Sequence, residues 1–421
     1  MLKEVLGFRL IGARYFNKGY AQVVGPLNST FQSPRDNEGH GSHTLSTAGG
    51  NFVEGTSVFG FGNGAAKGGS PRARVAAYKV CWPPVGEDEC FDVDILAAFD
   101  VAIHDGVDLL SVSLEGNLIH FFNDSVAIGS FHAVKHGIVV VCSAGNSGPA
   151  DGTVSNIGPW QITVGASTIG REFPSYVVLA NNVTFKGETL SATALPSNKL
   201  YPLISAAKAK AANASVTEAV LCKVGTLDPK KVKGKILVCL RGDNARVDKG
   251  EQALLAGAVG MVLANNDLSG NEIIADPHVL PASHINFTDG YTVYKYINST
   301  KSPRGYITHA STKLGTKPAP FMAAFSSKGP NIIIPEILKL RESTSLSQDE
   351  IFAQVLPSNS TAFRGIGVMP KPKTLHPISC SNKKGTGGVD LKKYKLEGML
   401  LTHGTYSLGM GINLYVYIKL N

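Results

Sequence analysis

The residues between 73 and 141 alternate between short apolar runs and stretches with helical spacing. The apolar runs cover 75–80, 107–112 and 138–141, and the last of these is β-branched throughout. Between them, 93–104 and 125–136 repeat apolar residues at the spacing of an amphipathic helix, and each ends shortly before a glycine. This order of strand, helix, strand, helix and strand predicts a parallel sheet covered by helices on both faces. The predicted fold class is therefore doubly wound α/β.

The loops that follow two of the predicted strands are candidates for a binding site. Residues 113–114 follow the second strand, and residues 143–146 follow the third. In open parallel sheets, ligands bind beyond the carboxyl ends of the strands. Both loops are therefore expected to open onto one functional edge of the sheet.

The pattern changes after residue 174 and again near residue 331. Residues 232–239 and 258–264 have buried-strand patterns, and 248–256 between them has a helical pattern, which predicts a second, small α/β unit. Residues 332–421 show no clear periodicity and contain several prolines with neighbouring serines and lysines. That stretch stays unassigned, with the composition of a poorly ordered tail.

Composition and charge narrow the class of protein. The chain has 421 residues, of which 43% are hydrophobic, which is typical of a folded soluble protein. It contains no run of about 18 apolar residues, so no membrane span is expected. The net charge is +8, but 332–421 alone hold 11 basic and 6 acidic residues, and most of the excess lies there. A nucleic-acid partner is not expected, because the remaining basic cluster is typical of a solvated face and comprises Lys230, Lys231, Lys233 and Lys235.

The cysteines and the glycosylation sequons favour an oxidising compartment. Cys81 lies close to Cys90 in the sequence, and Cys222 lies close to Cys239, which suits two short disulfide-closed loops. The alternative, buried or unpaired thiols, stays open. Seven Asn-x-Ser/Thr sequons occur, at Asn28, Asn123, Asn182, Asn213, Asn286, Asn298 and Asn359. The first nine residues lack the apolar core of a signal peptide, and by themselves they would indicate a cytosolic protein. The cysteine pairs and the sequons argue against that, so we expect a secreted ancestry with the targeting region absent from this chain.

Two blocks carry the candidate chemistry. Residues 39–44 have the sequence Gly-His-Gly-Ser-His-Thr, and residues 143–149 have the sequence Ser-Ala-Gly-Asn-Ser-Gly-Pro. These blocks resemble the base and oxyanion-hole blocks of the subtilisin-like serine proteases. Supporting stretches narrow the resemblance to plant-type subtilases with an inserted protease-associated (PA) domain, and they are 10–16, 33–36, 77–82, 94–100 and 325–331.

The resemblance implies a domain organisation and an extracellular location. It extends over about residues 10–331. It implies a partial subtilisin-like catalytic domain, an inserted PA domain, a return to the catalytic domain and an unassigned tail, with the boundaries 1–173, 174–318, 319–331 and 332–421.

The resemblance also implies the roles of particular residues. His40 is the implied general base, and Asn146 is the implied donor to the oxyanion. The family's substrate-binding segment, whose backbone pairs with an extended peptide, corresponds to Ser113, Leu114, Glu115 and Gly116. The family has glycine in place of Glu115. The implied partner is a polypeptide substrate or a peptide ligand, no cofactor or metal is implied, and the oligomeric state is left open.

Two blocks of the family are missing from the sequence. The orienting aspartate of an Asp-Thr-Gly or Asp-Ser-Gly turn and the nucleophile of a Gly-Thr-Ser-Met block are not found. Asp36 is the only aspartate before His40, and at four residues away it is a poor candidate for the orienting acid. Residues 55–57 are Gly-Thr-Ser but lack the neighbours of a nucleophile block. We therefore expect a serine endopeptidase by family whose present chain is catalytically incomplete; the alternative is a non-catalytic module that binds peptides or proteins through the groove and the PA domain.

Overall fold

The computed structural model describes residues 10–85, 88–114, 116, 118–197, 199–334 and 414–419. Its helices are α1 (Lys18–Val24), α2 (His40–Gly49), α3 (Asp92–His104), α4 (Ser125–Lys135), α5 (Val216–Val220), α6 (Pro229–Val232), α7 (Arg246–Leu255) and α8 (Phe287–Ser299). Its strands are β1 (Leu10–Tyr15), β2 (Val53–Val58), β3 (Phe61–Ala66), β4 (Arg74–Lys79), β5 (Cys81–Val85), β6 (Asp88–Cys90), β7 (Leu109–Val112), β8 (Val139–Ser143), β9 (Ile162–Val164), β10 (Arg171–Glu172), β11 (Pro174–Leu179), β12 (Thr184–Glu188), β13 (Tyr201–Ser205), β14 (Ile236–Leu240), β15 (Gly260–Ala264), β16 (Ala282–Ile285), β17 (Arg304–Ile307), β18 (Lys313–Leu314) and β19 (Leu414–Lys419).

The main sheet has six strands in the order β1-β4-β19-β7-β8-β9. β1 pairs in parallel with β4, and β7, β8 and β9 are parallel to one another. β19 lies between β4 and β7 and runs antiparallel to both. The predicted parallel sheet is therefore present, and one antiparallel strand joins it from the stretch that the sequence pattern leaves unassigned. Residues 335–413 and 420–421 of that stretch lie outside the described residues.

Helices cover both faces of this sheet. Alternate residues of β4 point to opposite faces: Val75 and Ala77 pack with Leu45 of α2, whereas Ala76 belongs to a cluster with Phe99 of α3. α4 contributes to the same cluster as α3. The predicted doubly wound α/β architecture is confirmed, since each face of the sheet buries its own apolar layer.

The second unit is a closed barrel with the strand order β11-β12-β16-β15-β14-β13-β17. The predicted strands at 232–239 and 258–264 correspond to β14 and β15, which are parallel neighbours. The predicted helix at 248–256 corresponds to α7, and α8 packs against the barrel core through Val293 and Ile297. The small α/β unit is therefore present, and its strands close into a barrel.

The two units meet through an apolar contact and a hydrogen bond. Phe61 of β3 clusters with Leu190 and Ala275 of the barrel unit. Glu272 precedes Ala275 by three residues, and its Oε2 atom accepts a hydrogen bond of 2.6 Å from the backbone N of Ala324. The segment that returns to the first unit is thereby tied to a loop of the second.

Two disulfides close short loops. Cys81 and Cys90 join β5 to β6, and Cys222 and Cys239 join the segment after α5 to β14. Cys142 is a free thiol buried in β8. Cys380 lies outside the described residues.

Candidate active site

The start of α2 is held by the carboxylate of Asp36. Its Oδ1 atom accepts hydrogen bonds from the backbone N atoms of Glu38 and Gly39, and its Oδ2 atom accepts one of 2.6 Å from that of Ser42. Burial favours the neutral carboxyl, but these donors outweigh it and lower the pKa of Asp36 below its ordinary value. Gly39 is the N-cap residue of the helix that begins at His40, and the Asp36 side chain pairs one backbone N–H of its first turn, that of Ser42.

His40 itself has an unpartnered ring nitrogen. Its Nδ1 atom is buried and has no hydrogen-bond partner among the described residues. Its backbone N donates to the Oε2 atom of Glu38 at 2.9 Å. In a serine-protease triad, an acid accepts the Nδ1 proton and so fixes the tautomer in which Nε2 is the base. The described part of the chain supplies no such acceptor to His40.

The carboxyl ends of β7 and β8 form an open cleft. The two strands are parallel, with Val112 opposite Cys142, so the loops that follow them begin at one edge of the sheet. The cleft there is narrow, with a cavity volume of ≈ 20 Å³, which is about the room of one water molecule. Its lining includes Ser113, Asn146 and Gly165. The structure therefore brings Ser113 and Asn146 to one cleft, whereas His40 at the start of α2 is not among the lining residues.

A buried asparagine that the sequence analysis did not single out joins the two loops. The Nδ2 atom of Asn156 donates to the backbone O of Leu114 at 2.7 Å and to that of Ser143 at 2.9 Å. Asn156 is 6% exposed and has a φ of 53°, a left-handed conformation that asparagine tolerates better than most residues. The sequence carries only a weak signal that Asn156 joins these loops, namely an asparagine in a segment between Gly152 and Pro159. Asn156 fixes the separation of the loops that carry Ser113 and Asn146.

The returning segment supports the loop of Asn146 from the other side. The backbone N of Ser327 donates to Gly145 O at 3.0 Å, and the backbone N of Ser147 donates to Ser327 Oγ at 2.9 Å. The neighbouring hydroxyl, Ser326 Oγ, accepts from the backbone N of Ala166 at 3.0 Å. Both serines are less than a tenth exposed. Their hydroxyls are used to hold backbone groups beside the cleft.

A methyl group at Gly148 is expected to disrupt this support. A Cβ atom there would lie 2.1 Å from the backbone O of Ser326 and 2.6 Å from that of Ala324, and backbone atoms cannot move aside. We expect Gly148→Ala to cost about 1–3 kcal/mol, which is typical of overpacking. Hydrogen exchange of residues 143–148 should accelerate. Gly64→Ala is the matched control because a Cβ there meets no atom within 4 Å, and equal exchange in the two variants would contradict the expectation.

The remaining predicted site residues lie in different surroundings. Leu114 is 4% exposed, Gly116 is exposed, and Glu115 lies outside the described residues. Ser57 of the Gly-Thr-Ser sequence lies on β2, where its hydroxyl accepts from the backbone N of Gly60 at 3.2 Å. That serine belongs to the β2–β3 hairpin and not to the cleft.

Two kinds of feature are not found in the described residues. No group of three or more His, Cys, Asp or Glu side chains there could hold a metal ion. Within the same residues, no helix is both long enough and apolar enough to cross a bilayer.

Comparison with known proteins identifies the family. The chain is 66% identical over 331 residues to subtilisin-like protease SBT5.3 of Arabidopsis thaliana and 65% identical over 332 residues to its relative SBT5.4, and each alignment covers 79% of this chain. The chain belongs to the plant subtilisin-like protease family. A subtilase of Glycine max, Glyma18g48580, is 45% identical over 353 residues, which are 80% of this chain and 44% of that protein. The PA-domain family model matches residues 199–293, which lie within the barrel unit.

The matched region is a part of each relative. The alignments cover 43% of SBT5.3 and 42% of SBT5.4, so this subtilase chain spans less than half of their length.

Proposed function

We propose that this chain carries the base and the oxyanion donor of a subtilisin-like serine endopeptidase site and that the 421-residue polypeptide by itself is catalytically incomplete. His40 is the base, and Asn146 is the donor. The polypeptide partner is an extended peptide that pairs with the backbone of residues 113–116. The family supports the endopeptidase chemistry.

The observation that carries the proposal is the unpartnered Nδ1 atom of His40. Without an acceptor there, neither the base tautomer nor the imidazolium that forms during acyl transfer is stabilised. The hydroxyls of two serines near the cleft, Ser326 and Ser327, accept backbone N–H groups. In subtilisin, loss of the nucleophilic serine lowers kcat by about 10⁶-fold, so a chain without that group should turn over no peptide.

A second candidate function is a non-catalytic peptide-binding module. It is favoured by how the cleft is built, since Asn156 and Ser327 hold its loops without any contribution from His40. Transcript sequence on both sides of the coding region separates the two functions. An aspartate-bearing strand and a serine block encoded there support the endopeptidase, and their absence supports the binding module.

A serine-directed probe tests the proposal directly. We expect the purified chain to show no labelling by a fluorophosphonate and no hydrolysis of fluorogenic peptides, because its sequence contains no Gly-Thr-Ser-Met nucleophile block. His40→Ala is the matched control. Labelling of a serine that disappears in the His40→Ala variant would contradict the proposal.

We also propose an extracellular location. The two disulfides close loops with sequence separations of 9 and 17 residues, and such bonds persist in oxidising compartments. The seven sequons support the same route, since glycans are added to them in the secretory pathway.

A further inference from the structure

The outer face of α8 presents tyrosines to solvent next to a glycosylation sequon. Tyr291, Tyr294, Lys295 and Asn298 follow the spacing of one helical face. Together with Ser299 they line a shallow depression of ≈ 420 Å³. Tyr291 is 68% exposed, whereas Tyr294 packs partly against the barrel core. An exposed aromatic ring at one end of this face is thus followed, two turns on, by an acceptor asparagine.

We propose that Asn298 carries an N-linked glycan whose first sugars lie over this tyrosine face, and that Asn286, the other sequon of α8, carries none. In the transfer, the Nδ2 atom of Asn298 bonds to C1 of the donor sugar, the bond from C1 to the polyprenyl diphosphate breaks, and the amide gives up one proton. The C–H groups of a pyranose ring suit the negative face of an aromatic ring. Lys295 adds a cationic donor for sugar hydroxyls.

Asn298 is compatible with a glycan because its surroundings leave the amide in solvent. It lies in the last turn of α8 and is exposed. The backbone N of Thr300, the third residue of the sequon, donates to Tyr296 O at 3.0 Å, so this residue ends the helix without using the amide of Asn298.

Asn286 differs because its side chain forms the N-terminal cap of the same helix. Its Oδ1 atom accepts from the backbone N of Asp289 at 2.7 Å, and its Nδ2 atom donates to Asp289 Oδ2 at 2.9 Å. A sugar on Nδ2 replaces one of its two hydrogens and would have to fit into a half-buried capping pair. The Oδ1 cap would survive this replacement, so what disfavours Asn286 is steric: a sugar on Nδ2 would crowd the contact between Nδ2 and the Asp289 carboxylate, whereas no hydrogen-bonding neighbour of the Asn298 amide is found among the described residues.

Site-resolved glycopeptide mass spectrometry of the full chain, secreted from plant cells behind a cleavable leader, tests the inference, which rests on the extracellular location proposed above. We expect occupancy at Asn298 and none at Asn286. Occupancy at other sequons with Asn298 empty would overturn this inference alone, and comparable occupancy at Asn286 would overturn the selectivity. A secreted chain with no glycan at any sequon would overturn the inference while leaving the proposed location untouched, because the added leader imposes the route, and the fluorophosphonate result is independent of all of these.

Footprinting of tyrosines tests where the glycan lies. Thr300→Ala removes the sequon while keeping Asn298, and Ser299→Ala is the matched control that keeps the sequon. We expect Tyr291 to be several-fold less reactive towards nitration in the Ser299→Ala chain than in the Thr300→Ala chain, with Tyr15, which is 39% exposed on β1, as the internal reference. Equal reactivity of Tyr291 in the two variants would show that the sugars point away from this face.

Discussion

Asp276→Ala is expected to destabilise the barrel unit by about 3–5 kcal/mol, which is the usual cost of breaking a buried ion pair. The Nε atom of Arg246 lies 2.6 Å from Asp276 Oδ2, and its Nη2 atom lies 3.1 Å from Oδ1. The two side chains are only 7% and 2% exposed. Removing the carboxylate therefore leaves the Arg246 charge buried without its partner. Hydrogen-exchange protection of β14 and β15 in the full chain should fall by about two to four orders of magnitude.

Two controls separate burial from charge. Lys186 and Glu172 form an ion pair with a similar N–O distance of 2.7 Å, but these side chains are 46% and 27% exposed. Glu172→Ala should cost about 0–1 kcal/mol. The double variant Arg246→Met with Asp276→Leu should recover most of the loss, because neither partner is then left charged. An effect of Asp276→Ala as small as that of Glu172→Ala would refute the expectation.

His278 is expected to contribute stability to the barrel unit that is lost as the pH falls from 6.5 towards 4, whereas Glu188 of β12, whose pKa burial raises to about 7, contributes in the opposite direction. His278 is 4% exposed, and neither ring nitrogen has a hydrogen-bond partner among the described residues. Burial lowers its pKa to about 4, with Asp276 opposing and Arg246 adding to the shift. The folded state therefore resists a proton that the unfolded chain accepts near pH 6.5, so the stabilisation is complete above that pH and disappears as the pH approaches 4. The loss from this residue is about 3 kcal/mol.

A variant at the histidine isolates its contribution. His278→Leu should flatten the pH dependence of the protection factors in β14 and β15, after correction for intrinsic exchange. Part of the slope should remain, because burial also lowers the pKa of His284 well below its ordinary value. A Cβ at Gly250 of α7 would lie 2.7 Å from His278 Nδ1, so the ring packs directly against that helix. An unchanged pH dependence in His278→Leu would contradict this account.

The elements predicted well from sequence are those whose start and end signals are local. α4 begins where Asp124 Oδ1 accepts from the backbone N atoms of Val126 and Ala127, and it ends next to Gly137, which has a φ of 81°. Both signals lie within the helix or beside it. α7, β14 and β15 also lie within a few residues of their predicted bounds.

β19 shows where local patterns are insufficient. It lies in the stretch where the sequence pattern shows no clear periodicity: Leu414, Val416 and Ile418 alternate with tyrosines, but six residues are too few to stand out and carry no information about a partner. The structure pairs them with β4 and β7, more than 300 residues earlier in the chain. That pairing depends on the space between two strands of the completed sheet.

The sequence by itself determined the doubly wound sheet, the edge that bears Ser113 and Asn146, and the resemblance to plant subtilases, because periodicity, glycine stops and motif order are properties of contiguous residues. Only the tertiary structure decided that the Asp36 carboxylate pairs the backbone N–H of Ser42 in the first turn of α2, that His40 Nδ1 has no acceptor among the described residues, and that Asn156 joins the two loops of the cleft. These features depend on which groups meet after the chain has packed. Hydrogen-bond satisfaction and desolvation are set by that packing, so no single segment of the sequence encodes them.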